Sequence, residues 1–130
     1  MDQEKMMELQ ILSQQIEQLQ QYLQNMDSQI EAVTHVLEAL TDVETLKGDE
    51  EVFMPITNGI FIKGRITHAK KLLVNVGADT VVEKSVEDTR KLLTSQKDEI
   101  EKYKTEALGQ FQELLTRVTE LQEEYKTSRG

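Results

Sequence analysis

The chain has 130 residues, of which 30% are charged and only 5% are aromatic, and it contains no cysteine and no tryptophan. Such a composition allows one domain at most, argues against a compact enzyme, and excludes disulfides and sites built on thiolates. Its 24 acidic and 15 basic residues give a formal net charge of −9, which disfavours nucleic acid or an anionic membrane as the main partner.

The first segment, residues 1–47, contains no glycine and no proline, and it predicts one long helix. Its apolar residues recur at alternating steps of three and four, which is the a/d pattern of a coiled coil. This apolar seam consists of Leu9, Leu12, Ile16, Leu19, Leu23, Met26, Ile30, Val33, Leu37 and Leu40. A glutamine-rich run alone would suggest disorder, but a seam this regular indicates a coiled-coil helix.

The middle segment, residues 48–84, predicts two β-hairpins. Asn58 and Gly59 stand between two β-rich runs, and this dipeptide is a strong hairpin signal because both residues tolerate positive φ. A second pair of β-rich runs flanks the turn that begins at Gly77. Pro55 has no N–H to donate, so its strand is predicted to be an edge strand or to end there.

The last segment, residues 85–130, predicts a second long helix whose seam is less regular. Residues at a spacing of seven are Val86, Leu93, Ile100, Ala107, Leu114 and Leu121, and the seam positions predicted between them are Thr89, Gln96, Tyr103, Phe111, Val118 and Tyr125. The steps around Ala107 are then four and four, which predicts a stutter that contains Gly109. The stutter is open to two interpretations, a flexible point in the helix or an adjustment of register.

Two segments of similar length around a short insert predict that the helices fold back as an antiparallel pair. The first 46 residues hold nine acids and one base, whereas residues 85–130 hold ten acids and eight bases, so ion pairs between the helices are expected. The predicted fold is therefore α+β, a long antiparallel coiled coil with two hairpins between its helices. The segments 1–47, 48–84 and 85–130 form one domain.

The predicted hairpins have apolar residues on both faces and no core of their own. Isolated hairpins are marginally stable in water, and their free edges pair with other strands. We therefore expect hairpins from several chains to assemble into an oligomeric β-barrel body.

The opposite end of the predicted helix pair, called here the tip, holds both chain termini and a group of apolar residues. They are Met6, Met7, Leu9, Ile11, Leu12, Val118, Leu121 and Tyr125. Methionine-containing surfaces bind partners promiscuously. The alternative is that these residues only complete the seam, and the pattern leaves both interpretations open.

No sequence motif for catalysis or for a metal is present. His35 and His68 have no partner at a metal-binding spacing, and the carboxylates of the second helix are typical of a solvated face rather than of a catalytic cleft. We expect no enzyme activity and no cofactor. The polar start and the lack of a long apolar run lead us to expect a soluble, cytoplasmic protein.

Three stretches of the middle segment form a more specific pattern. They are Phe53-Met54-Pro55-Ile56 with Gly59-Ile60-Phe61-Ile62-Lys63-Gly64, then Lys71-Leu72-Leu73-Val74-Asn75-Val76-Gly77-Ala78-Asp79, and Val81-Val82-Glu83-Lys84-Ser85. This pattern resembles the alpha-class subunits of prefoldin, although Thr57 and Asn58 stand where archaeal members often have a small Gly-Ala pair. Two hairpins rather than one indicate the alpha class over the beta class.

The resemblance implies a hexamer of two alpha and four beta subunits, with a double β-barrel body and six coiled-coil arms. Such hexamers hold unfolded polypeptides at the arm tips without ATP and pass them to a group II chaperonin. The resemblance makes the tip residues client contacts and implies that the hairpins build the body. The body residues are Val52, Phe53, Ile56, Ile60, Phe61, Ile62, Leu73, Val74, Val76, Val81 and Val82.

Two other functional classes are consistent with the same sequence. The hairpins could polymerise into a scaffold or filament that handles no clients, and capping by a partner with one hairpin would discriminate this from a chaperone. The tip could instead recognise a single folded partner as an adaptor. Alanine at Met6, Met7 and Ile11 would then abolish one interaction without a general effect on aggregation.

Overall fold

The computed structural model describes residues 3–129, so residues 1, 2 and 130 of the predicted end segments lie outside the described part of the chain. The elements are helix α1 (Gln3–Glu44), strands β1 (Glu51–Thr57), β2 (Ile60–Arg65), β3 (Lys71–Asn75) and β4 (Val81–Ser85), and helix α2 (Val86–Arg129). The predicted α+β fold, with two long helices flanking two hairpins, is confirmed.

The chain forms two compact units. The helical unit comprises Met1–Glu31 and Lys97–Gly130, and the hairpin unit comprises Ala32–Gln96, which includes the four strands and the adjoining ends of both helices. In each unit a part of α1 packs against a part of α2.

The seam predicted for α1 is the buried side of that helix. Leu12, Met26 and Leu40 are buried, and every other seam residue from Leu9 to Leu37 is half-buried. Most positions outside the seam are exposed. The pattern succeeds here because apolar residues occupy every seam position and polar ones occupy most of the others.

The seam predicted for α2 is wrong at three positions. Tyr125, near the end of the helix, is exposed. Gln96 and Tyr103 are also exposed, and the residues half-buried in their place are their neighbours Lys97 and Lys104. With these lysines, the seam alternates steps of four and three without interruption, through Arg90, Leu93, Lys97, Ile100, Lys104, Ala107, Phe111, Leu114, Val118 and Leu121. There is consequently no stutter at Gly109, which is exposed.

The cations belong in this seam because their long alkyl stems pack against apolar neighbours while the charged ends reach water or a carboxylate. Lys104 Nζ lies 2.6 Å from Oδ1 of Asp27 in the helical unit. In the hairpin unit, Arg90 donates from Nε to Oε1 of Glu44 at 3.2 Å and from Nη1 to the carbonyl oxygen of Leu37 at 3.4 Å. The predicted ion pairs between the acidic helix and the mixed helix are thus present.

Each hairpin is a separate two-stranded antiparallel sheet, β1 with β2 and β3 with β4. In the first sheet Glu51 lies opposite Arg65 and Pro55 lies opposite Phe61, and the register shifts between Pro55 and Thr57. Because the sheet has only two strands, β1 is an edge strand, as its proline predicts. In the second sheet Lys71 lies opposite Ser85.

The turns follow local chemistry, with one difference from expectation. Gly59 has φ 78°, whereas Asn58 does not have positive φ, so the first turn uses the conformational freedom of the glycine alone. In the second turn, Gly77, Ala78 and Asp79 all have positive φ, and the N–H of Gly77 donates to Oδ1 of Asn75 at 2.9 Å. The asparagine side chain thereby stabilises a turn that two non-glycine residues strain.

A serine cap separates the last strand from α2. The hydroxyl oxygen of Ser85 accepts a hydrogen bond from the N–H of Asp88 at 3.0 Å, and Glu87 and Asp88 lie in the positive first turn of the helix. The Val-Glu-Lys-Ser sequence therefore ends a strand and starts a helix without an intervening loop.

Candidate functional site

Met6, Met7 and Ile11 on α1 lie exposed at the end of the helical unit that holds both chain termini. Their side chains are 60%, 58% and 52% exposed, respectively. They are exposed because they fall outside the seam, whose nearest members, Leu9 and Leu12, point toward α2 and are half-buried and buried. Exposed methionine and isoleucine at a free helix end form a surface that is adaptable and apolar.

The predicted tip residues of α2 are less accessible than those of α1. Leu121 is completely buried, Val118 is half-buried, and Tyr125 is 37% exposed. Leu12, at 8% exposure, belongs with Leu121 in the packed interior of the helical unit. The arrangement gives Leu12 and Leu121 a packing role, and contact with a client through them stays a prediction.

Three exposed apolar residues of the helical unit were not predicted from the sequence. They are Tyr22, Leu108 and Leu115, and Tyr103, which was predicted as a seam residue, is exposed as well. Leu108 and Leu115 each follow a seam residue, Ala107 and Leu114, and are separated by the same spacing of seven. That spacing was the signal that could have revealed them as a second, solvent-facing row on α2.

An open groove of about 490 Å³ runs along the helical unit beside Tyr22. Leu19, Leu114 and Tyr22 line it, and its other lining residues are polar. The polar lining residues are Gln15, Gln18, Gln110 and Glu113. Sites for small-molecule substrates are enclosed and lined mainly by apolar side chains, so this open groove with mostly polar lining residues does not fit one.

Ion pairs between the helices flank the apolar residues of this end. Arg117 donates from Nε to Oε1 of Glu8 at 2.7 Å and from Nη2 to Oε2 of Glu8 at 3.2 Å. Lys5 Nζ lies 2.7 Å from Oε2 of Glu124. The hydrogen bonds from Arg117 hold the pKa of the Glu8 carboxyl below its ordinary value.

The exposed apolar residues of the hairpin unit are concentrated on its strands. Eight of the eleven predicted body residues are exposed: Phe53, Ile56, Ile60, Phe61, Ile62, Leu73, Val76 and Val81. The other three, Val52, Val74 and Val82, are half-buried. Met54, which was not among the predicted body residues, is 48% exposed. No residue of the four strands is buried, so the two sheets have no interior within the described chain.

One ion pair joins the two strands of each hairpin. Lys63 lies 3.8 Å from Glu51 and 5.8 Å from the ring centre of Phe53, and Lys71 lies 3.8 Å from Glu83. These pairs join the two strands of each sheet and leave one further basic residue in each, Arg65 or Lys84. The exposed apolar side chains of the strands remain uncovered within the described chain.

Few features of the described residues favour metal binding or catalysis. His35 and His68 are both exposed, and residues 3–129 contain no group of three or more His, Asp or Glu side chains placed to hold a metal ion. No helix within residues 3–129 is long and apolar enough to cross a membrane. What the geometry supports is contact with other polypeptides.

Comparison with known proteins finds a family that the chain matches. Residues 12–128 match the family model described as Prefoldin subunit. Over 122 residues the chain is 31% identical to the Prefoldin subunit alpha of Methanococcus vannielii. This match covers 94% of this chain and 82% of the relative. It is 25% identical over 115 residues to the Prefoldin subunit alpha of Thermofilum pendens, covering 88% of this chain and 89% of the relative.

A solved structure has the same fold. A chain from the cryo-EM structure of a filamentous PFD from Methanocaldococcus jannaschii superposes with a TM-score of 0.76, covers 87% of this chain and 93% of its own length, and is 19% identical in sequence. The sequence matches extend over both helices and both hairpins, well beyond the central stretches that suggested the resemblance.

Proposed function

The chain belongs to the prefoldin family of chaperone subunits, and from this premise we propose that it captures unfolded polypeptides at the terminal end of its helical unit. It does so by binding alone, without ATP and without catalysis, and it passes the bound polypeptide to a group II chaperonin. The proposed setting is the cytoplasm, where chains emerge unfolded from synthesis.

The observation that carries this proposal is the exposure of Met6, Met7 and Ile11 at one free end of a polar, acidic helix. Three apolar side chains within two helical turns form a patch that fits the apolar segments of an unfolded chain. Methionine adapts to partners of varied shape, which suits clients without a common sequence.

Multivalent capture explains how so small a patch could hold a client. Each end alone would bind weakly, but several ends in one assembly raise the effective concentration of binding sites around a bound chain. Release from any single arm stays fast, so the client remains mobile enough to be transferred. The net charge of −9 would limit association between the assemblies themselves.

The assembly in this proposal is built by the hairpin unit. We propose that its exposed strands pair with those of a second alpha subunit and of four beta subunits, closing the free edges into a β-barrel body. The apolar side chains of the strands support this proposal because they have no interior to occupy within one chain.

A light-scattering assay tests the proposed activity. A chemically unfolded client is diluted into buffer with the full-length chain, with and without a beta-class partner, in the absence of nucleotide. Sedimentation of the same samples reports the mass of the assembly. We expect a mixed oligomer that suppresses aggregation at near-stoichiometric amounts.

A matched pair of variants makes the test specific for the exposed patch. Replacing Met6, Met7 and Ile11 by serine should reduce suppression at least several-fold and leave the assembly mass unchanged. The control replaces three exposed glutamines of the same helix, Gln20, Gln21 and Gln24, by serine. Equal suppression by both variants would sink the proposed binding surface, and no suppression by the unaltered assembly would sink the chaperone activity itself.

A scaffold or filament remains the second candidate function. It is favoured by one specific observation, the similarity of this fold to a chain of a filamentous PFD, together with the unpaired edges of both hairpins. A chain whose hairpins pair only with copies of itself would keep adding subunits. Long polymers in the sedimentation experiment that are not shortened by a beta-class partner would support this candidate over the hexamer.

A further inference from the structure

The turn between β1 and β2 contains the one asparagine of the chain that is followed by glycine. Asn58 and Gly59 form a two-residue turn between the paired residues Thr57 and Ile60. Both turn residues are exposed. The other asparagines are followed by methionine and by valine, at Asn25 and Asn75.

An asparagine side chain reacts with its own main chain when the next backbone nitrogen reaches the side-chain carbonyl carbon. In this turn the nitrogen of Gly59 would form a bond to Cγ of Asn58. The bond between Cγ and Nδ2 would break, and ammonia would leave with the proton that the Gly59 nitrogen gives up. Water then opens the resulting succinimide ring at either carbonyl, which leaves an aspartyl or an isoaspartyl residue. Water is consumed, ammonia is released, and nothing is oxidised or reduced.

The structure leaves this reaction unobstructed at Asn58. Neither the side chain of Asn58 nor the N–H of Gly59 makes a hydrogen bond within residues 3–129. Gly59 has φ 78°, and a Cβ placed on it would meet nothing within 4 Å. Because glycine has no Cβ, its nitrogen is open to approach and its backbone has the freedom that ring closure needs.

The other two asparagines are held away from the same reaction. Oδ1 of Asn75 accepts a hydrogen bond from the N–H of Gly77 at 2.9 Å, and the N–H of Val76 donates to the carbonyl oxygen of Thr80 at 2.9 Å. The branched side chain of the valine also crowds its nitrogen. Asn25 lies inside α1, where the next N–H belongs to the hydrogen-bonded helix backbone. The two serve as internal references for Asn58.

We propose that Asn58 is a site of spontaneous modification, at which the main-chain nitrogen of Gly59 displaces the side-chain amide and converts the turn of the first hairpin. The reaction is a backbone-assisted deamidation, and water is its only co-reactant. The site goes beyond the proposed function, since the reaction lies within one chain and needs no client and no partner subunit.

The isoaspartyl product changes the hairpin as well as its charge. Its main chain runs through the former side chain, so one methylene is added between Thr57 and Ile60, and one negative charge is added to the net charge of −9. The length of a two-residue turn fixes the register of its strands, so a longer turn disturbs the pairing beside the exposed Ile56 and Ile60. We expect modified chains to join the assembly less well, a consequence that rests on the proposed assembly through the strands.

Peptide mass spectrometry of the full-length chain, aged in warm neutral buffer, tests the site. Fragmentation that distinguishes isoaspartyl from aspartyl residues identifies the products. We expect Asn58 to convert to a mixture of both, at least about ten-fold faster than Asn25 and Asn75, whose local hydrogen bonds have to break first.

The same chain unfolded in urea gives the rate of each asparagine without the influence of the fold. Unfolding should change the rate at Asn58 only a few-fold, because the folded turn already leaves the reaction open. It should accelerate conversion at Asn25 and Asn75, because their hydrogen bonds are lost.

Two variants separate ring formation from the added charge. Asn58→Gln keeps the amide but moves it one methylene away, so the five-membered ring does not form, and conversion at this position should be abolished. Asn58→Asp supplies the negative charge without lengthening the main chain. When freshly prepared, it should assemble with a beta-class partner to the same mass as the unaltered chain.

Separation of the aged chain by charge, followed by sedimentation with a beta-class partner, tests the effect on the hairpin. The isoaspartyl form should be depleted several-fold from the oligomer relative to the unmodified form. The aged Asn58→Gln chain is the control and should enter the oligomer as well as a fresh sample does.

The outcomes distinguish the site from its consequence and from the proposed function. Absence of isoaspartate at position 58 of the folded chain, or conversion there no faster than at Asn75, would overturn the site. Full entry of the isoaspartyl form into the oligomer would overturn its effect on the hairpin. If the unaltered chain forms no oligomer, the proposed assembly fails, whereas conversion at Asn58 still upholds the modification.

Discussion

The helical unit and the hairpin unit place their apolar side chains in different ways. In the helical unit the seam residues of α1 and α2 face each other, and Leu12, Met26, Ala107 and Leu121 are buried within one chain. In the hairpin unit no strand residue is buried, and Leu73 is 79% exposed. The first unit buries seam residues within one chain, whereas the second buries none of its strand residues.

This difference teaches where the two units obtain their stability. A coiled-coil pair buries one stripe of each helix and leaves the rest polar, so it is complete as a single chain. A two-stranded hairpin exposes both faces and both edges, so its missing contacts have to come from other chains. We therefore expect substitutions in the two units to have different measurable consequences.

The largest effect is expected in the hairpin unit. Replacing Ile56 and Phe61 by aspartate places charges on two of its most exposed apolar positions. If those positions form an interface, burial of an unpaired charge there is prohibitive, and the assembly should dissociate completely at micromolar concentration. Sedimentation measures the mass, and far-ultraviolet circular dichroism should show that the helix content is retained.

An exposed apolar residue of the helical unit provides the control for that experiment. Met7→Asp changes a side chain of similar exposure and should leave the assembly mass unchanged. An oligomer that survives the hairpin substitutions would contradict the assignment of assembly to the strands.

The next effect is expected inside the helical unit, at Leu121. Its replacement by alanine leaves a cavity where the side chain was fully buried, and we expect a loss of about 2–5 kcal/mol in the free energy of unfolding. Urea unfolding measures the loss, and the assembly mass below the transition should not change. The same substitution at Leu115, which is 38% exposed, should cost about 1 kcal/mol or less. Equal costs at both positions would show that the end of the unit is not packed in solution.

The fold was predictable from the sequence wherever buried positions hold apolar residues and exposed positions hold polar ones. Every seam position of α1 is apolar, so spacing alone identified its buried face. On α2 the same spacing chose Gln96 and Tyr103, which lie three residues after Leu93 and Ile100. The alkyl stems of Lys97 and Lys104 pack in the seam while their charged ends leave it. A pattern that classes each residue as either apolar or polar cannot predict a side chain that behaves as both.

The candidate site was predictable in its location but not in its detail. The sequence placed Met6, Met7 and Ile11 outside the seam, and they are exposed. It could not decide whether Leu12 and Leu121 are covered, because the last buried residue of a coiled coil depends on how far the helices stay together. In this structure that extent coincides with the ion pairs of Lys5 and Arg117, which involve contacts over more than a hundred residues of sequence.

A smaller effect is expected at the seam lysine that has no carboxylate to pair with. Lys97 is half-buried and has no ion pair or hydrogen bond from its side chain to any of residues 3–129. Lys97→Leu should therefore raise the free energy of unfolding by about 0.5–1 kcal/mol, since apolar burial is gained and no ion pair is lost. Lys102→Leu, at an exposed position on the same helix, is the matched control and should give no gain. A loss of stability in Lys97→Leu would contradict the seam position of Lys97 and show that this residue faces solvent.

The smallest effect concerns pH and the ion pair of Glu8. Hydrogen bonds from Arg117 lower the pKa of Glu8 in the folded chain below its ordinary value of 4.5. A carboxyl group with a lowered pKa contributes stability that is present above the ordinary value and is lost as the pH falls through the lowered one. The difference in unfolding free energy between the unaltered chain and Glu8→Gln should therefore be largest near neutral pH and shrink as the pH is lowered from about 6 toward about 3. Because the pair lies at the surface, the change should be modest and should diminish further at high salt. Urea unfolding across this pH range measures it, with Glu17→Gln as the control for loss of one carboxylate, and a difference that stays constant with pH would show that Glu8 and Arg117 are not paired in solution.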